Sequence, residues 1–366
     1  MKISIGAEIK KGPFGGGNSF VKNLAESLEF NGHSVVHDLQ DTDIDIALLI
    51  NPLLTSETST FNNFDIDYYQ KYVNPNLISI QRINECDERK QTNYVNKQII
   101  KHNTNIDFNF FVSDWIRGVF EGTNLHKKPY KVIMGGPDNQ IFNNKDLIKL
   151  SHNEKIKIVT HHWSSNYLKG FDIYKQLDEL LQTNEWASKL EFTYIGNLSE
   201  DISFKKTRLI PALNGNELAN ELKNHHIYIT ASRNEPSGNH HMEAAMVGLP
   251  LLYIKSGAIP EYCNGFGVEF NESNFVESLK VIINDHSKYA NNLKNYPYSF
   301  DYAYNQIIES FNFLVDNREK LKTKREKISN TSILFNYYLY KLKKIIYRRK
   351  IQLMKFAGYH RKRIFK

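Results

Sequence analysis

The chain has 366 residues, of which 41% are hydrophobic, 13% aromatic and 24% charged. This composition excludes an intrinsically disordered protein, and the length predicts about two domains, each large enough to bury its own core. The most apolar charge-free run, Ala244–Ile254, is about half as long as a membrane-spanning helix, and Gly248 and Pro250 interrupt it. The sequence therefore predicts no membrane span.

The formal net charge of +7 is distributed unevenly along the chain. Residues 317–366 contain 17 Lys and Arg against 2 Glu, a net charge of +15, which leaves −8 for the first 316 residues. A mildly acidic body is therefore followed by a strongly basic tail, and partners of opposite charge are predicted for the tail.

The cysteine content and the first residues indicate the compartment. Cys86 and Cys263 are too few for a disulfide framework or a zinc site with four thiolates. The first ten residues, MKISIGAEIK, lack the apolar core of roughly 7–15 residues that marks a secretory signal. We therefore expect a cytoplasmic protein, which the basic tail could place on the inner face of a membrane.

Short apolar runs alternate with helix-like segments in the first half of the chain. A glycine-rich loop precedes a helix whose apolar face contains Phe20, Val21, Leu24 and Leu28, and Gly32 suits its C-terminal cap. Strand, loop, helix and strand in this order predict a parallel sheet with right-handed crossovers. The strands predicted here are Lys2–Ala7, Ser34–Leu39, Ile44–Ile50, Leu77–Ile83, Phe108–Ser113 and Tyr130–Met134.

The second half repeats this alternation, and the predicted architecture is two Rossmann-like α/β domains that face a cleft. Its predicted strands are Lys155–Thr160, Glu191–Ile195, Arg208–Ile210, His226–Thr230 and Pro250–Ile254. Its predicted helices are Phe171–Gln182, Gly215–Lys223, His240–Val247 and Phe275–Asp285. We predict an N-terminal domain over 1–148, a C-terminal domain over 149–300, a helical segment over 301–330 that packs back on the body, and a tail over 331–366, with a polar joint at Asn143–Asn153.

The segment ITASRNEPSGNHHMEAAMVGLPLLYIKSGAIPEYC, residues 229–263, holds most of the predicted chemistry. It reads as a buried strand, a loop and a helix that begins near Asn239, with Ser237 or Asn239 as its candidate N-cap. A helix N-terminus behind a glycine-containing loop is suited to bind phosphate. Glu235 and Glu243 would repel that anion unless they accept hydrogen bonds from sugar hydroxyls. The pattern therefore predicts a nucleotide-sugar site.

The two glutamates, the Ala-Ala-Met-x-Gly-Leu-Pro run behind Glu243, and Gly257-x-x-Pro260-Glu261 resemble the donor-site signature of the retaining glycosyltransferases of family 4, which have the GT-B fold. Further segments in the family's order extend the resemblance over roughly residues 3–285, but not into the tail. They are Pro13-Phe14-Gly15-Gly16-Gly17, Val112-Ser113-Asp114-Trp115, Gly135-Gly136-Pro137-Asp138 with Phe142, and Lys169-Gly170.

The resemblance implies roles for the matching residues. Lys169 would bind the donor diphosphate and neutralise the departing phosphate, and Glu235 would contact sugar hydroxyls near the reacting carbon. These two are the predicted catalytic residues, and Asp138 is a candidate on the acceptor side. Arg82 is a second acceptor-side candidate, because the carboxyl ends of parallel strands face the cleft. Donor contacts are predicted at Gly16, Gly17, Ser237, Gly238, Asn239, His240 and Glu243.

The sequence departs from the family pattern in two places. The arginine that usually stands about five residues before the lysine is missing, and residues 161–164 read His-His-Trp-Ser. The strand that often supplies a histidine near the acceptor contains Arg82 instead. Either a histidine or Arg82 replaces the missing cation, or Lys169 and the helix N-terminus suffice. The polar run over 84–90 is either a solvated loop or an acceptor contact that includes Glu88.

Metal and cofactor sites are not predicted. The loop glycines lack the Gly-x-Gly-x-x-Gly spacing of a nicotinamide site. His161, His162, His240 and His241 suggest zinc, but adjacent strand residues point to opposite faces and no Cys or Asp completes a ligand set. The sequence also has no Asp-x-Asp motif in a site-like context. We therefore predict metal-independent transfer without a cofactor.

Three interpretations of the tail stay open. Residues 331–366 contain 11 Lys and Arg and no acidic residue, interleaved with large apolar side chains. An interfacial helix on anionic lipid is the favoured interpretation. A solvated extension is the second, and nucleic-acid contact is the least favoured.

The sequence as a whole predicts a glycosyltransferase. It would move a sugar from a nucleotide-sugar to a glycan or lipid-linked acceptor with retention of configuration. One alternative is a nucleotide-sugar epimerase or hydrolase of the same fold. The other is a non-catalytic protein that binds a membrane or nucleic acid through the tail.

Overall fold

A computed structural model of the protein describes residues 1–10, 15–53, 55–151, 154–325 and 327–364, with side chains except at Gly15 and 355–364. Predictions that involve Pro13, Phe14 or Asn153 lie outside the described residues. The strands in the described part are β1 (Lys2–Ile5), β2 (Ser34–Val36), β3 (Ile46–Leu49), β4 (Ile78–Ile83), β5 (Phe108–Phe111), β6 (Tyr130–Val132), β7 (Ile156–His162), β8 (Leu190–Gly196), β9 (Arg208–Ile210), β10 (Ile227–Thr230), β11 (Leu251–Ile254) and β12 (Gly267–Phe270).

The helices in the described part flank these strands, and two short 3-10 turns lie at Tyr167–Lys169 and Leu293–Asn295. The helices are α1 (Gly15–Phe30), α2 (Asn63–Tyr72), α3 (Asp87–Lys90), α4 (Val95–Lys101), α5 (Asp114–Val119), α6 (Asn124–Lys127), α7 (Phe171–Leu180), α8 (Asn184–Ala187), α9 (Gly215–Leu222), α10 (Asn239–Val247), α11 (Ile259–Cys263), α12 (Phe275–Asn284), α13 (His286–Asn292), α14 (Phe300–Asp316), α15 (Arg318–Lys322) and α16 (Asn330–Ile364).

The strands form two parallel sheets of six strands each, in the orders β2-β1-β3-β4-β5-β6 and β12-β11-β10-β7-β8-β9. Parallel strands covered by helices on both faces need apolar side chains at successive positions. Such runs occur at Ile46–Leu49 and at Leu251–Ile254, where every residue is buried. The predicted fold class, two parallel α/β sheets with a helical C-terminal extension, is therefore confirmed.

Each of the eleven strands predicted from the sequence is present, with ends that differ by a few residues. One further strand, β12, is absent from the prediction because its first residue is Gly267, and glycine weakens a strand pattern. The structure shows why glycine is needed there. A Cβ atom on Gly267 would lie 1.7 Å from the carbonyl oxygen of Leu251 on the neighbouring strand.

Helix α14 returns the chain from the second sheet to the first. Its Phe300, Ile307 and Phe311 are buried in the same core as Ile3 and Ile5 of β1. Its entry is held by the amide of Phe300, which donates to the carbonyl of Pro137 at 2.9 Å. The start of the 301–330 segment therefore packs on the half of the molecule that contains the sheet of β1–β6. We call this the first-sheet half, and the half that contains β7–β12 the second-sheet half.

The long helix α16 packs on α2 in the first-sheet half. Tyr337 stacks on Tyr68 with ring centroids 4.2 Å apart, and the Lys341 ammonium lies 2.8 Å from the buried Asp65 carboxylate. Among the described residues, no helix is both long enough and apolar enough to cross a membrane. The tail is thus a helix with one face bound to the protein.

Candidate active site

The loop over residues 231–238 connects β10 to α10 and is shaped by its neighbours. Ser232 Oγ donates to Glu235 Oε2 at 2.9 Å, and the backbone of Glu235 accepts from the Ala258 amide at 2.9 Å. Gly257 has a φ of +61°, and a Cβ there would lie 2.4 Å from the Glu235 nitrogen. Only glycine fits this approach, so the Gly-x-x-Pro segment predicted at the site fixes the backbone of Glu235.

The N-cap predicted for α10 is wrong. Gly238 occupies the cap position, and no side chain in the described part of the molecule accepts a hydrogen bond from the first turn. Ser237 instead lies 3.0 Å from the hydroxyl of Tyr262, which donates to the Val112 carbonyl at 2.6 Å. The first amides of α10, at Asn239 and His240, are therefore left to bind another acceptor, as helix N-termini that bind anions do.

Lys169 and Glu235, the two predicted catalytic residues, form a buried ion pair. Lys169 Nζ lies 3.0 Å from Glu235 Oε2, and each side chain is 11% exposed. Gly170 permits this because its φ is +92° and its Cα packs on Ala231, where a Cβ would lie 2.3 Å from the Ala231 Cβ. Burial lowers the pKa of Lys169, and the Glu235 carboxylate opposes that effect.

Arg89 of α3 is the second cation at Glu235, with Nη2 3.4 Å from Oε2. Burial alone would raise the pKa of Glu235, but Lys169, Arg89 and the hydrogen bond from Ser232 outweigh it and hold the pKa at about 2. Glu235 is therefore a carboxylate at every physiological pH. Arg89 belongs to the polar run over 84–90, in which Glu88, not Arg89, is the residue predicted to contact the acceptor.

Glu243 lies one turn inside α10, as predicted, and is held by a histidine. His161 Nε2 at the end of β7 lies 2.8 Å from Glu243 Oε2. The side chain of Glu243 remains 17% exposed, so its carboxylate is open to a further donor. This histidine contact had no signal in the sequence beyond the position of His161 at a strand end.

A cluster of buried histidines lies behind the helix N-terminus. His240 Nε2 lies 2.9 Å from Thr230 Oγ1, and His162 Nε2 lies 2.7 Å from the Tyr174 hydroxyl. Burial lowers the pKa values of His162, His240 and His241; nearby positive charge adds to this effect at His162 and His240, while the Glu235 carboxylate opposes it at His241. Within the described residues, no group of three or more His, Cys, Asp or Glu is arranged to hold a metal ion.

The predicted motif that ends at Glu261 contacts the predicted motif Val112–Trp115 across the cleft. The Glu261 carboxylate accepts from the amides of Asp114 at 2.8 Å and Trp115 at 2.6 Å, at the N-terminus of α5. Ser113 caps the same helix, and its Oγ donates to the carbonyl of Pro236 at 2.8 Å. The carboxyl end of β5 in the first sheet is thereby joined to the loop that carries Glu235.

The glycine loop also faces α10. A Cβ on Gly16 would lie 2.9 Å from the Asn239 side chain, whereas one on Gly17 would meet no atom of the described residues within 4 Å. Gly16 therefore lies against the first residue of α10. Both glycines are at the start of α1, where the sequence predicted donor contacts.

The two acceptor-side candidates differ in their surroundings. Arg82 stacks over Phe20 at 4.1 Å, its Nη1 is buried without a hydrogen-bond partner among the described residues, and burial lowers its pKa to about 10. Asp138 makes a local hydrogen bond, accepting from the Gln140 amide at 2.8 Å. Arg82 is thus a protonated side chain with capacity for a further acceptor, while Asp138 stabilises a turn.

Solved structures with a similar architecture include glycosyltransferases of the GT-B fold. The sucrose-phosphate synthase from Thermosynechococcus elongatus has a TM-score of 0.62 and 12% identity over 86% of this chain and 99% of that chain. HepE from Anabaena in complex with UDP-glucose also has a TM-score of 0.62 and 12% identity over 86% of this chain and 99% of that chain. The catalytic domain of starch synthase IV from Arabidopsis thaliana, bound to ADP and acarbose, has a TM-score of 0.61 and 13% identity over 86% and 99%.

This chain has the GT-B fold. At such low identity the likeness establishes the fold alone. No protein-family model and no curated protein matches the sequence. The assignment of chemistry therefore depends on the arrangement of the side chains at the cleft.

Proposed function

We propose that this protein is a glycosyltransferase that uses a nucleotide-sugar donor. The observation that carries the proposal is the buried group of Lys169, Arg89 and Glu235 beside the uncapped N-terminus of α10. Cations and free amides suit a diphosphate, and a carboxylate held at low pKa suits sugar hydroxyls as an acceptor of hydrogen bonds. The GT-B fold of structures solved with UDP-glucose and ADP supports this choice of donor.

The transfer would break the bond between the sugar's anomeric carbon and the phosphate oxygen, with the electron pair leaving on the diphosphate. The anomeric carbon forms its new bond to the acceptor oxygen, and the acceptor's hydroxyl proton ends on the departing diphosphate. Lys169 and the α10 amides offset the negative charge that develops on the phosphate. Glu235 orients the sugar, and Glu243 with His161 behind it binds the ribose hydroxyls. The proposal includes retention of configuration, supported by the family resemblance of the donor motif.

Metal independence is part of the proposal. Lys169 and the amides of α10 supply the positive charge that a divalent ion would otherwise bring to the phosphates. Gly16, Gly17, Ser237 and Gly238 would complete the donor contacts.

A panel of UDP-, GDP- and ADP-sugars tests the proposal by thermal shift and product analysis. The matching donor at about ten times its Kd should stabilise the protein by about 1.4 kcal/mol. NMR of the product with an added glycan or lipid-linked acceptor should show the donor's anomeric configuration. Turnover should persist in EDTA. Free or epimerised sugar formed without any acceptor would favour the epimerase or hydrolase alternative, and EDTA-sensitive turnover restored by Mg²⁺ or Mn²⁺ would contradict metal independence.

We also propose that α16 binds the anionic surface of a membrane, which would make the protein cytoplasmic and peripheral. The face of α16 opposite to α2 exposes an apolar stripe, and the described part of residues 331–354 contains no acidic residue. Lys343, Arg348, Arg349 and Lys350 are exposed beside it. The stripe consists of Leu334, Phe335, Tyr338, Leu342, Ile345, Ile346, Leu353 and Met354.

The place of α16 favours a lipid-linked acceptor over a free glycan. Lys344 Nζ donates to the carbonyls of Ser59 at 3.0 Å and Thr60 at 3.1 Å. Ser59 in turn forms a β-bridge with Ala7, two residues after the end of β1. Because the carboxyl ends of parallel strands face the cleft, a membrane bound by α16 would lie near the acceptor side.

Vesicle flotation tests the apolar stripe. The full chain should float with vesicles of phosphatidylglycerol and phosphatidylcholine, and the pair Leu342→Glu and Ile346→Glu should weaken binding at least about tenfold, since it replaces apolar contact by repulsion. The matched control, Leu209→Glu with Val281→Glu, changes exposed apolar residues of the second-sheet half. Unchanged flotation of the stripe variant, or of a chain without 331–366, would contradict the proposal, as would concentration-dependent dimerisation through the stripe without flotation.

A further inference from the structure

Arg89 lies where the first-sheet half of the molecule meets the loop of residues 231–238. Its guanidinium shares Glu235 Oε2 with Lys169, at 3.4 and 3.0 Å. Asn234 Nδ2 in the same loop donates to the carbonyl of Glu88 at 3.2 Å, which holds the short helix α3 against the loop. The side chain of Arg89 is 11% exposed. Arg89 is therefore a buried cation that the first-sheet half supplies to a cluster formed with Lys169 and Glu235.

The position of α3 is fixed within its own half. Asp87, its first residue, accepts hydrogen bonds from Thr92 Oγ1 at 2.6 Å, the Val95 amide at 2.8 Å and the Asn96 amide at 3.2 Å. These bonds tie α3 to the start of α4. Arg89 is thus carried by a constrained segment that follows the carboxyl end of β4, the end that faces the cleft.

The charge at the cluster is not balanced. Lys169 and Arg89 bring two positive charges to the Glu235 carboxylate, and the neighbouring Glu85 carboxylate has its own partner in Lys90, at 3.0 Å. The neighbouring His162 and His240 are kept neutral by burial, which lowers their pKa values. A buried excess of positive charge is costly unless a further anion binds to it. A diphosphate beside the α10 amides would supply that anion.

We infer that Arg89 is the second phosphate-binding cation of the donor site, in place of the arginine that is missing before Lys169. This inference rests on the proposed function. A guanidinium presents paired N–H donors that match phosphate oxygens. Because Arg89 and Lys169 come from opposite sides of the cleft, the full positive charge is assembled only where the two sides meet, as they do at Glu235.

Pyrophosphate binding and sugar-transfer kinetics test the role of Arg89. Arg89→Gln should weaken the binding of inorganic pyrophosphate at least tenfold and lower kcat by about 10²-fold, with a smaller change in KM. Arg89→Lys should recover part of both losses. The matched control is Lys90→Gln, which removes the same charge from the next residue of α3, where the lysine is 53% exposed and pairs with Glu85.

A double variant separates contact with phosphate from the positioning of Glu235. In a Glu235→Gln background, Arg89→Gln should still weaken pyrophosphate binding by the same factor, whereas a residue that acts only by holding Glu235 would have no further effect there. Pyrophosphate binding unchanged in Arg89→Gln overturns the inference whether or not sugar is transferred. Binding lost in Arg89→Gln but no transfer by the wild type would overturn the proposed function alone. No pyrophosphate binding by the wild type would overturn both.

Discussion

Replacing Lys169 by alanine should lower kcat for sugar transfer by about 10²–10³-fold, the loss that follows removal of one preorganised donor at a developing negative charge. The Lys169 ammonium is buried 3.0 Å from Glu235 and comes from the turn before α7, on the side of the cleft that carries α10. Its charge is expected to act mainly on the departing diphosphate. KM for the donor should therefore rise much less than kcat falls.

The control for this variant is Lys189→Ala, which removes a lysine that is 63% exposed and lies 3.8 Å from Glu185 on the surface. Removing one partner of a buried ion pair can also destabilise a protein. Glu235 keeps Arg89 as a partner, so Lys169→Ala should remain folded by circular dichroism. Lys169→Ala combined with Glu235→Gln removes the carboxylate as well and checks this point. A folded Lys169→Ala protein with kcat within threefold of the wild type would contradict the role given to Lys169.

Acidification from about pH 7.5 to 5 should lower the melting temperature by about 10 °C or more. The cause is a set of histidines that burial holds neutral. Burial lowers the pKa values of His102 and His225 to about 4 and that of His241 to about 3. In the unfolded chain such histidines titrate near 6.5.

The direction follows from proton binding. Below about pH 6.5 the unfolded state binds protons that the folded state does not, so stability is full above that pH and falls as the pH decreases towards the folded-state pKa values. Each of these buried histidines would cost about 2 kcal/mol at pH 5. Three of them together approach the whole stability of an ordinary domain, about 5–15 kcal/mol.

Differential scanning calorimetry of two variants, each with one histidine replaced, tests whether buried histidines cause the loss of stability. His225 Nδ1 lies 2.9 Å from the carbonyl of Glu221, and a glutamine amide can donate to the same oxygen without titrating. His225→Gln should therefore lose less stability on acidification than the wild type, by about 2 kcal/mol. His126→Gln, at a half-buried histidine beside Arg117, is the matched control. A melting temperature that stays constant down to pH 5 would exclude buried neutral histidines as a stability determinant.

Much of the fold could be predicted because the strands are buried on both faces. Runs such as Ile46–Leu49 need no knowledge of their partners to be recognised. Strand β12 was not predicted because it begins at Gly267, and glycine disfavours a strand when only the local sequence is considered. Glycine is required there by the close approach of Leu251 on the neighbouring strand, which the sequence does not reveal. The prediction of the N-cap of α10 was wrong for a similar reason. Ser237 has a suitable side chain, but its hydroxyl is hydrogen-bonded to Tyr262.

The sequence by itself determined the parallel α/β architecture, the donor-like segment around Glu235 and Glu243, and the separation of an acidic body from a basic tail. Each of these depends on residue types at fixed local spacing, which a linear sequence displays. Only the tertiary structure decided which cation meets Glu235 beside Lys169 and which face of α16 is free. Arg89 and Glu235 are far apart in sequence, and they meet because the carboxyl ends of two separate sheets face one cleft.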